Sequence, residues 1–282
     1  MDYLQTGRGT KSKLTGPTCT TPGQEDVNDM GTDKKGNVYV PSGSTDTVNV
    51  FSPNCGKEIA SYSDPYGQPV DIAFPPRDAN SHAVKPETIE RTQDAVFDIV
   101  GSSGSEYGNV ALCTIAKGCA SELTDPSVNT VYAGAYDSAG DVWASYLNQE
   151  NVPALIVWPK GKMPGEVVSG YINTGVGGLQ FDGNGNLVAM NQTNTTSGAV
   201  SYTCTVGPAS CTSNGSYTFN GRELYGKLAL GDTLFDVADF EYGSIDVYSY
   251  PAFTYQYSYS QGLAQSLMVV GVTLKGVPIA GK

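Results

Sequence analysis

The stretch Val131-Tyr132-Ala133-Gly134-Ala135-Tyr136-Asp137-Ser138-Ala139-Gly140-Asp141-Val142-Trp143-Ala144 decides the fold. An apolar run ends on an aspartate, two small residues and a glycine follow, and a second apolar run begins. Aspartate bonds its own backbone two residues on, glycine accepts the positive φ that closes a short loop, and Val, Tyr and Trp suit a pleated surface. The stretch therefore reads as a β-hairpin. The pattern recurs at 27–33 followed by Gly36-Asn37-Val38-Tyr39-Val40, and at 176–182 followed by Gly185-Asn186-Leu187-Val188-Ala189. After each hairpin comes a polar loop and a third strand, at 47–51, 153–158 and 199–204, then a fourth, at 58–63, 166–172 and 216–219.

Four antiparallel strands in a unit of roughly 45 residues form the blade pattern of a β-propeller. Two further units are less regular. One opens with Val70-Asp71-Ile72-Ala73-Phe74, takes an insertion over 75–94, and resumes at Val96-Phe97-Asp98-Ile99-Val100. The other runs from Glu223 through Leu234-Phe235-Asp236-Val237 to a Tyr-rich hairpin at 247–259. A last strand at 267–274 looks like a blade opening with nothing after it. At the other end, Asp2-Tyr3-Leu4-Gln5-Thr6-Gly7 resembles the second-strand segment Val38-Tyr39-Val40-Pro41-Ser42-Gly43. The expectation is a single all-β domain over 1–282: a six-bladed β-propeller of four-stranded antiparallel blades, the last closed by the N- and C-terminal strands. Such a closed ring leaves no open strand edge at its seam.

Composition narrows the function. At 39% hydrophobic and 16% charged residues the chain has the makings of a packed core, unlike a disordered chain. No stretch approaches the roughly 20 apolar residues of a membrane span. The net charge is -12 and Lys and Arg form no cluster, which excludes a phosphate-neutralising nucleic-acid face. Cys113/Cys119 and Cys204/Cys211 each flank a short turn, the arrangement of hairpin disulfides in an oxidising compartment. Cys19 and Cys55 occupy similar places in adjacent units, and whether they pair stays open. Zinc is disfavoured because neither close pair has CxxC spacing and His82 is the only histidine. The expected location is extracellular or periplasmic, with any leader already removed ahead of the polar start at Met1.

The motif strand-Asp-x-x-Gly-Asn-hydrophobic-Tyr-Val resembles that of NHL-type propellers, and Asp64-Pro65-Tyr66-Gly67-Gln68-Pro69-Val70 is similar to their blade-to-blade connection. Related six-bladed families include gluconolactonase-like and strictosidine-synthase-like propellers, exported binders and lyases. The resemblance implies architecture and a central channel. The Glu and Asn/Asp set of the calcium-dependent lactonases does not map onto this sequence residue by residue, so that activity is not implied.

Several residues stand out against plainer readings. Blade alignment puts Asp29 and Asp71 near one mouth of the channel, where with Asn28 or Gln180 assisting they suit Ca²⁺, which prefers oxygen ligands. The plainer reading has each aspartate bonding backbone N–H groups of its own loop. Asp236, Asp239 and Glu241 form a second acidic group, expected at a solvated strand end. Tyr248 and Tyr250 share one strand face and Tyr255, Tyr257 and Tyr259 the next, because side chains alternate with period two. Such a row suits a protein or glycan surface, or packing between blades. His82 in the insertion and Gly101-Ser102-Ser103-Gly104-Ser105 read as a surface histidine and a flexible connection. Asn191, Asn194 and Asn214 each begin an Asn-x-Ser/Thr triplet.

These features favour an exported binding module for a protein, a glycan or a neighbouring subunit, with no certain cofactor. Two alternatives remain: a Ca²⁺-assisted lactonase, hydrolase or lyase using channel carboxylates, and a structural subunit of an extracellular assembly.

Overall fold

The computed structural model describes residues 31–32, 37–53, 57–74, 95–100, 107–114, 118–173, 175–192, 197–219, 223–228, 234–239 and 244–259. Within them the chain is all-β, in five four-stranded antiparallel sheets whose strands follow one another in sequence order. The first sheet holds β1 (Gly31–Thr32), β2 (Val38–Ser42), β3 (Thr47–Phe51) and β4 (Glu58–Ser63). The second holds β5 (Pro69–Ala73), β6 (Ala95–Val100), β7 (Asn109–Thr114) and β8 (Gly118–Thr124). The third holds β9 (Val128–Tyr136), β10 (Val142–Asn148), β11 (Pro153–Trp158) and β12 (Glu166–Val167). The fourth holds β13 (Leu179–Phe181), β14 (Leu187–Gln192), β15 (Ser197–Thr205) and β16 (Ser210–Thr218). The fifth holds β17 (Glu223–Leu228), β18 (Leu234–Asp239), β19 (Ser244–Ser249) and β20 (Tyr255–Tyr259). The segments assigned to a sixth blade, 2–7 and 267–274, lie outside the described residues.

The sheets stack face to face, and the strand period of two shows how. In β10, Val142, Ala144 and Tyr146 pack with Val110 and Leu123 of the second sheet, while Trp143 between them packs with Leu179, Leu187 and Tyr202 of the fourth. In β14, Leu187 and Ala189 face the third sheet while Val188 and Met190 face Phe235 and Val237 of the fifth. Burial on both faces explains why Leu155-Ile156-Val157-Trp158 runs apolar without alternation. The first strands of successive sheets also adjoin: β1 lies against β5, β5 against β9, β9 against β13 and β13 against β17.

The Asp-x-x-Gly turns are hydrogen-bond hubs. Gly140 N–H donates to Asp137 O at 3.1 Å and Gly185 N–H to Asp182 O at 3.0 Å, closing equivalent turns. Gly140 and Gly185 have φ of 84° and 81°, a region that side chains with a Cβ avoid. Asp137 Oδ1 accepts the N–H groups of Ala139 and Asp141, and its Oδ2 accepts Trp143 Nε1–H at 3.0 Å. Asp182 Oδ1 accepts those of Asn184 and Asn186, and its Oδ2 accepts Asn186 Nδ2–H and, from the fifth sheet, Tyr250 O–H at 2.7 Å.

Burial opposes ionisation of Asp182, but the hydrogen bonds from Asn186, Tyr250 and the turn backbone outweigh it and hold the carboxyl below its ordinary range. Its stabilising effect is therefore full above the unfolded-state value of about 4 and fades as pH falls through the lower folded-state value. Asp182→Ala is expected to cost about 2 kcal/mol between roughly pH 5 and 8, with the gap narrowing in stronger acid. Urea unfolding of parent and variant measures it, and a gap that ignores pH counts against the hub.

Three expectations change. β16, expected over 216–219, already begins at Ser210. The fourth strand of the third unit, expected over 166–172, ends at Val167. Beyond it Ser169 makes a parallel bridge to Ser210 of the fourth sheet: its N–H donates to Ala209 O at 3.1 Å and its carbonyl accepts Cys211 N–H at 2.8 Å. Gly170 follows with φ 73°. Asp236, expected at a solvated strand end, sits within β18 and is 2% exposed.

Candidate functional site

First–second and third–fourth strand turns fall on one rim, because alternate turns of an antiparallel meander share a side. That rim carries the Asp-x-x-Gly hubs and both disulfide hairpins, and the 75–94 insertion, itself outside the described residues, connects β5 to β6 there. Cys113–Cys119 and Cys204–Cys211 are bonded, each pair directly opposed across its hairpin. Cys19, Cys55, His82 and 101–105 lie outside the described residues. The opposite rim carries the second–third strand turns and the connections between sheets.

Asp71 is fully buried. Its Oδ1 accepts Ile72 N–H at 2.7 Å and its Oδ2 accepts Gly134 N–H at 3.0 Å, so it ties the first strand of the second sheet to that of the third. Asn28 and Asp29 lie outside the described residues. Among the described residues no three His, Cys, Asp or Glu side chains are grouped tightly enough to hold a metal ion.

Asp236 faces the other way from Phe235 and Val237, which pack on the fourth sheet. It lies opposite Val247, with Ile245 on the same face, and both are buried. Its Oδ1 has no hydrogen-bond partner, and burial pushes the carboxyl up to about 7. Asp239 ends β18, and Glu241 lies outside the described residues.

The tyrosine row divides by strand, and the shared face expected for Tyr255 and Tyr257 is broken by a register shift: Tyr257 lies opposite Val247 and Tyr255 opposite Tyr248, neighbours that face opposite ways on β19. Tyr248 is buried against Phe219, and Tyr250 is buried against Phe253 and bonded to Asp182. On β20, the outermost strand, Tyr255 and Tyr257 are 51% and 38% exposed. The Tyr255 ring meets that of Tyr248 edge to face at 5.8 Å, which steadies the exposed ring from behind. Tyr259 is the last residue of β20.

One polar group escaped the sequence reading. Asp64 follows β4, and its Oδ1 accepts Tyr66 N–H at 2.9 Å. Asn109 opens β7, and its Nδ2–H donates to Tyr66 O at 3.4 Å. Asp64 Oδ2 and Asn109 Oδ1 are both buried without a hydrogen-bond partner. Burial raises the Asp64 carboxyl to about 6, with the Tyr66 N–H bond opposing and the charges of Asp46 and Glu122 adding to the rise. The only signal in the sequence is the dipeptide Asp64-Pro65, repeated as Asp125-Pro126 at the next connection.

No family model matches the chain, and no curated protein matches its sequence. Solved structures do match its fold. A chain of the nidogen/laminin complex superposes with a TM-score of 0.64 at 12% identity, covering 89% of this chain and 85% of that one. A chain of hydrazine synthase from Kuenenia stuttgartiensis superposes with a TM-score of 0.59 at 8% identity, covering 88% and 77%. Both are propeller-type folds of antiparallel sheets, and the chain is an all-β protein of that type. Among the described residues no helix is long and apolar enough to cross a membrane.

Proposed function

We propose that the chain is an exported propeller module that binds another protein, with the outer strand of the fifth sheet as part of its contact surface. The observation that carries this reading is the pair Tyr255 and Tyr257, large amphipathic rings exposed on β20. Tyrosine is enriched where proteins meet because it covers much area with few rotatable bonds. The likeness to a chain of the nidogen/laminin complex supports a protein partner, since that structure is an assembly of two proteins. The two hairpin disulfides fit an extracellular or periplasmic setting. In this reading the ring has six NHL-like blades, residues 1–282 are one domain, and strands at 2–7 and 267–274 complete the last blade.

The test compares the parent chain with Tyr255→Ser/Tyr257→Ser as baits in the extracellular fraction of the source cells. Both residues are exposed, and a parent-like unfolding midpoint of the variant checks that its fold is kept. A protein retained by the parent and lost at least 10-fold by the variant is the expected result. Equal recovery on both baits, or a parent chain that only self-associates in light scattering, overturns the reading.

A further inference from the structure

We propose that the seam between the first and second sheets, on the rim that carries the connections, binds a hard divalent cation through Asp64 and Asn109, with Asp46 and Glu122 supplying further negative charge. The register brings the four residues together. Asn109 and Ala111 lie on one face of β7, and Glu122 lies opposite Ala111 on β8. Ala111 packs with Tyr39, Val48 and Val50 of the first sheet, so Asn109 and Glu122 face the first sheet as well. From that sheet come Asp46, in the β2–β3 turn, and Asp64, whose N–H donates to Asp46 O at 2.8 Å. The turns and strand ends carrying all four belong to the same rim.

What makes this more than an acidic patch is a pair of buried oxygens. Asn109 is fully buried, and the bond from its Nδ2 to Tyr66 O fixes which end of the amide is the acceptor, leaving Oδ1 unpartnered. Asp64 is 5% exposed, and with Oδ1 committed to Tyr66 N–H its Oδ2 is unpartnered as well. Each oxygen thus lies on a side chain tied to Tyr66, and each lacks a donor. Among the described residues no Lys or Arg pairs with Asp46, Asp64 or Glu122.

A set of carboxylate and amide oxygens with no nitrogen or sulfur suits Ca²⁺ or Mg²⁺ and disfavours zinc. The three carboxylates are not grouped tightly enough to ligate one ion together, so water completes the inner shell and Asp46 and Glu122 act through their charge. The next connection supplies an internal contrast. Asp125 Oδ1 accepts both the N–H of Ser127 at 2.9 Å and its hydroxyl at 2.6 Å, and Asp125 is not buried. The same Asp-Pro turn there leaves no oxygen stranded.

The test titrates chelator-treated full chain with Ca²⁺ alone and with Mg²⁺ alone, by calorimetry and by thermal unfolding. One site per chain and a higher unfolding midpoint with at least one of the two ions are expected, and the stronger response identifies the ion. Asp64→Asn should weaken binding at least 10-fold while raising the midpoint without metal, because its amide offers the missing donor. Glu122→Gln, at a half-buried position, should weaken binding several-fold with an unchanged fold, and Asp125→Asn should leave it unchanged. Failure of both ions to bind at millimolar concentration overturns the proposal. So does binding that survives Asp64→Asn and Glu122→Gln, or that is lost only in Asp71→Asn.

Discussion

At pH 8, Asp236→Asn is expected to unfold about 6–10 °C above the parent chain, a gain of about 3 kcal/mol. The folded-state carboxyl titrates at about 7 because it is buried beside Val247 and Ile245, against about 4 in an unfolded chain. The folded protein therefore holds a proton that the unfolded chain releases across that interval. Stability is full below about pH 4, falls as pH rises, and levels off above about pH 7. The asparagine has no charge to bury, so its advantage should grow over the same interval and nearly vanish near pH 4. Differential scanning calorimetry across that range measures it. A difference between the two proteins that stays constant with pH would show that the carboxylate is not the source of the penalty. A penalty of this size at a single position also marks Asp236 for functional comparison, since buried ionisable groups kept at a cost in stability concentrate at working sites.

The second large effect is expected at Gly170. Its φ of 73° is one that alanine adopts only with strain, and a Cβ there would collide with the carbonyl of Cys211. That carbonyl belongs to backbone held by the Ser169 bridge on one side and by the Cys204–Cys211 disulfide on the other, so it cannot move aside. Gly170→Ala should lose about 3 kcal/mol or more, combining strain with the loss of the bridging hydrogen bonds. Gly185→Ala has similar φ strain but open space around the added methyl, and should lose only about 1 kcal/mol. Equal losses in the two variants by urea unfolding would show that the collision contributes nothing.

How much of this was legible beforehand depends on how local each cause is. The strands at 47–51, 58–63 and 153–158 were read at their observed limits, because each apolar or alternating run and the polar loops that bound it are contiguous in the chain. The disulfides at Cys113–Cys119 and Cys204–Cys211 followed for the same reason. The early end of β12 was not legible, since what pulls Ser169 away is the edge of another sheet. Nor was the burial of Asp236. A polar residue between Phe235 and Val237 reads as the solvated side of a half-buried strand, whereas here both faces of the sheet are covered. The tyrosines show the same limit. Tyr248 and Tyr257 sit in similar local patterns, and only the place of β19 inside the sheet and β20 at its margin separates a packed ring from an exposed one. The meeting of Asp64 with Asn109 needed the whole register of two sheets.

The Ser169 crossing has a mechanical meaning. A fourth strand of two residues would peel from its neighbour under little tension, yet the chain just beyond it is stapled to a hairpin that is itself covalently closed. A pull arriving from the third blade therefore passes into the fourth before the short strand has to resist it. The joint makes a weakly paired margin of the third sheet depend on a covalently closed hairpin of the fourth.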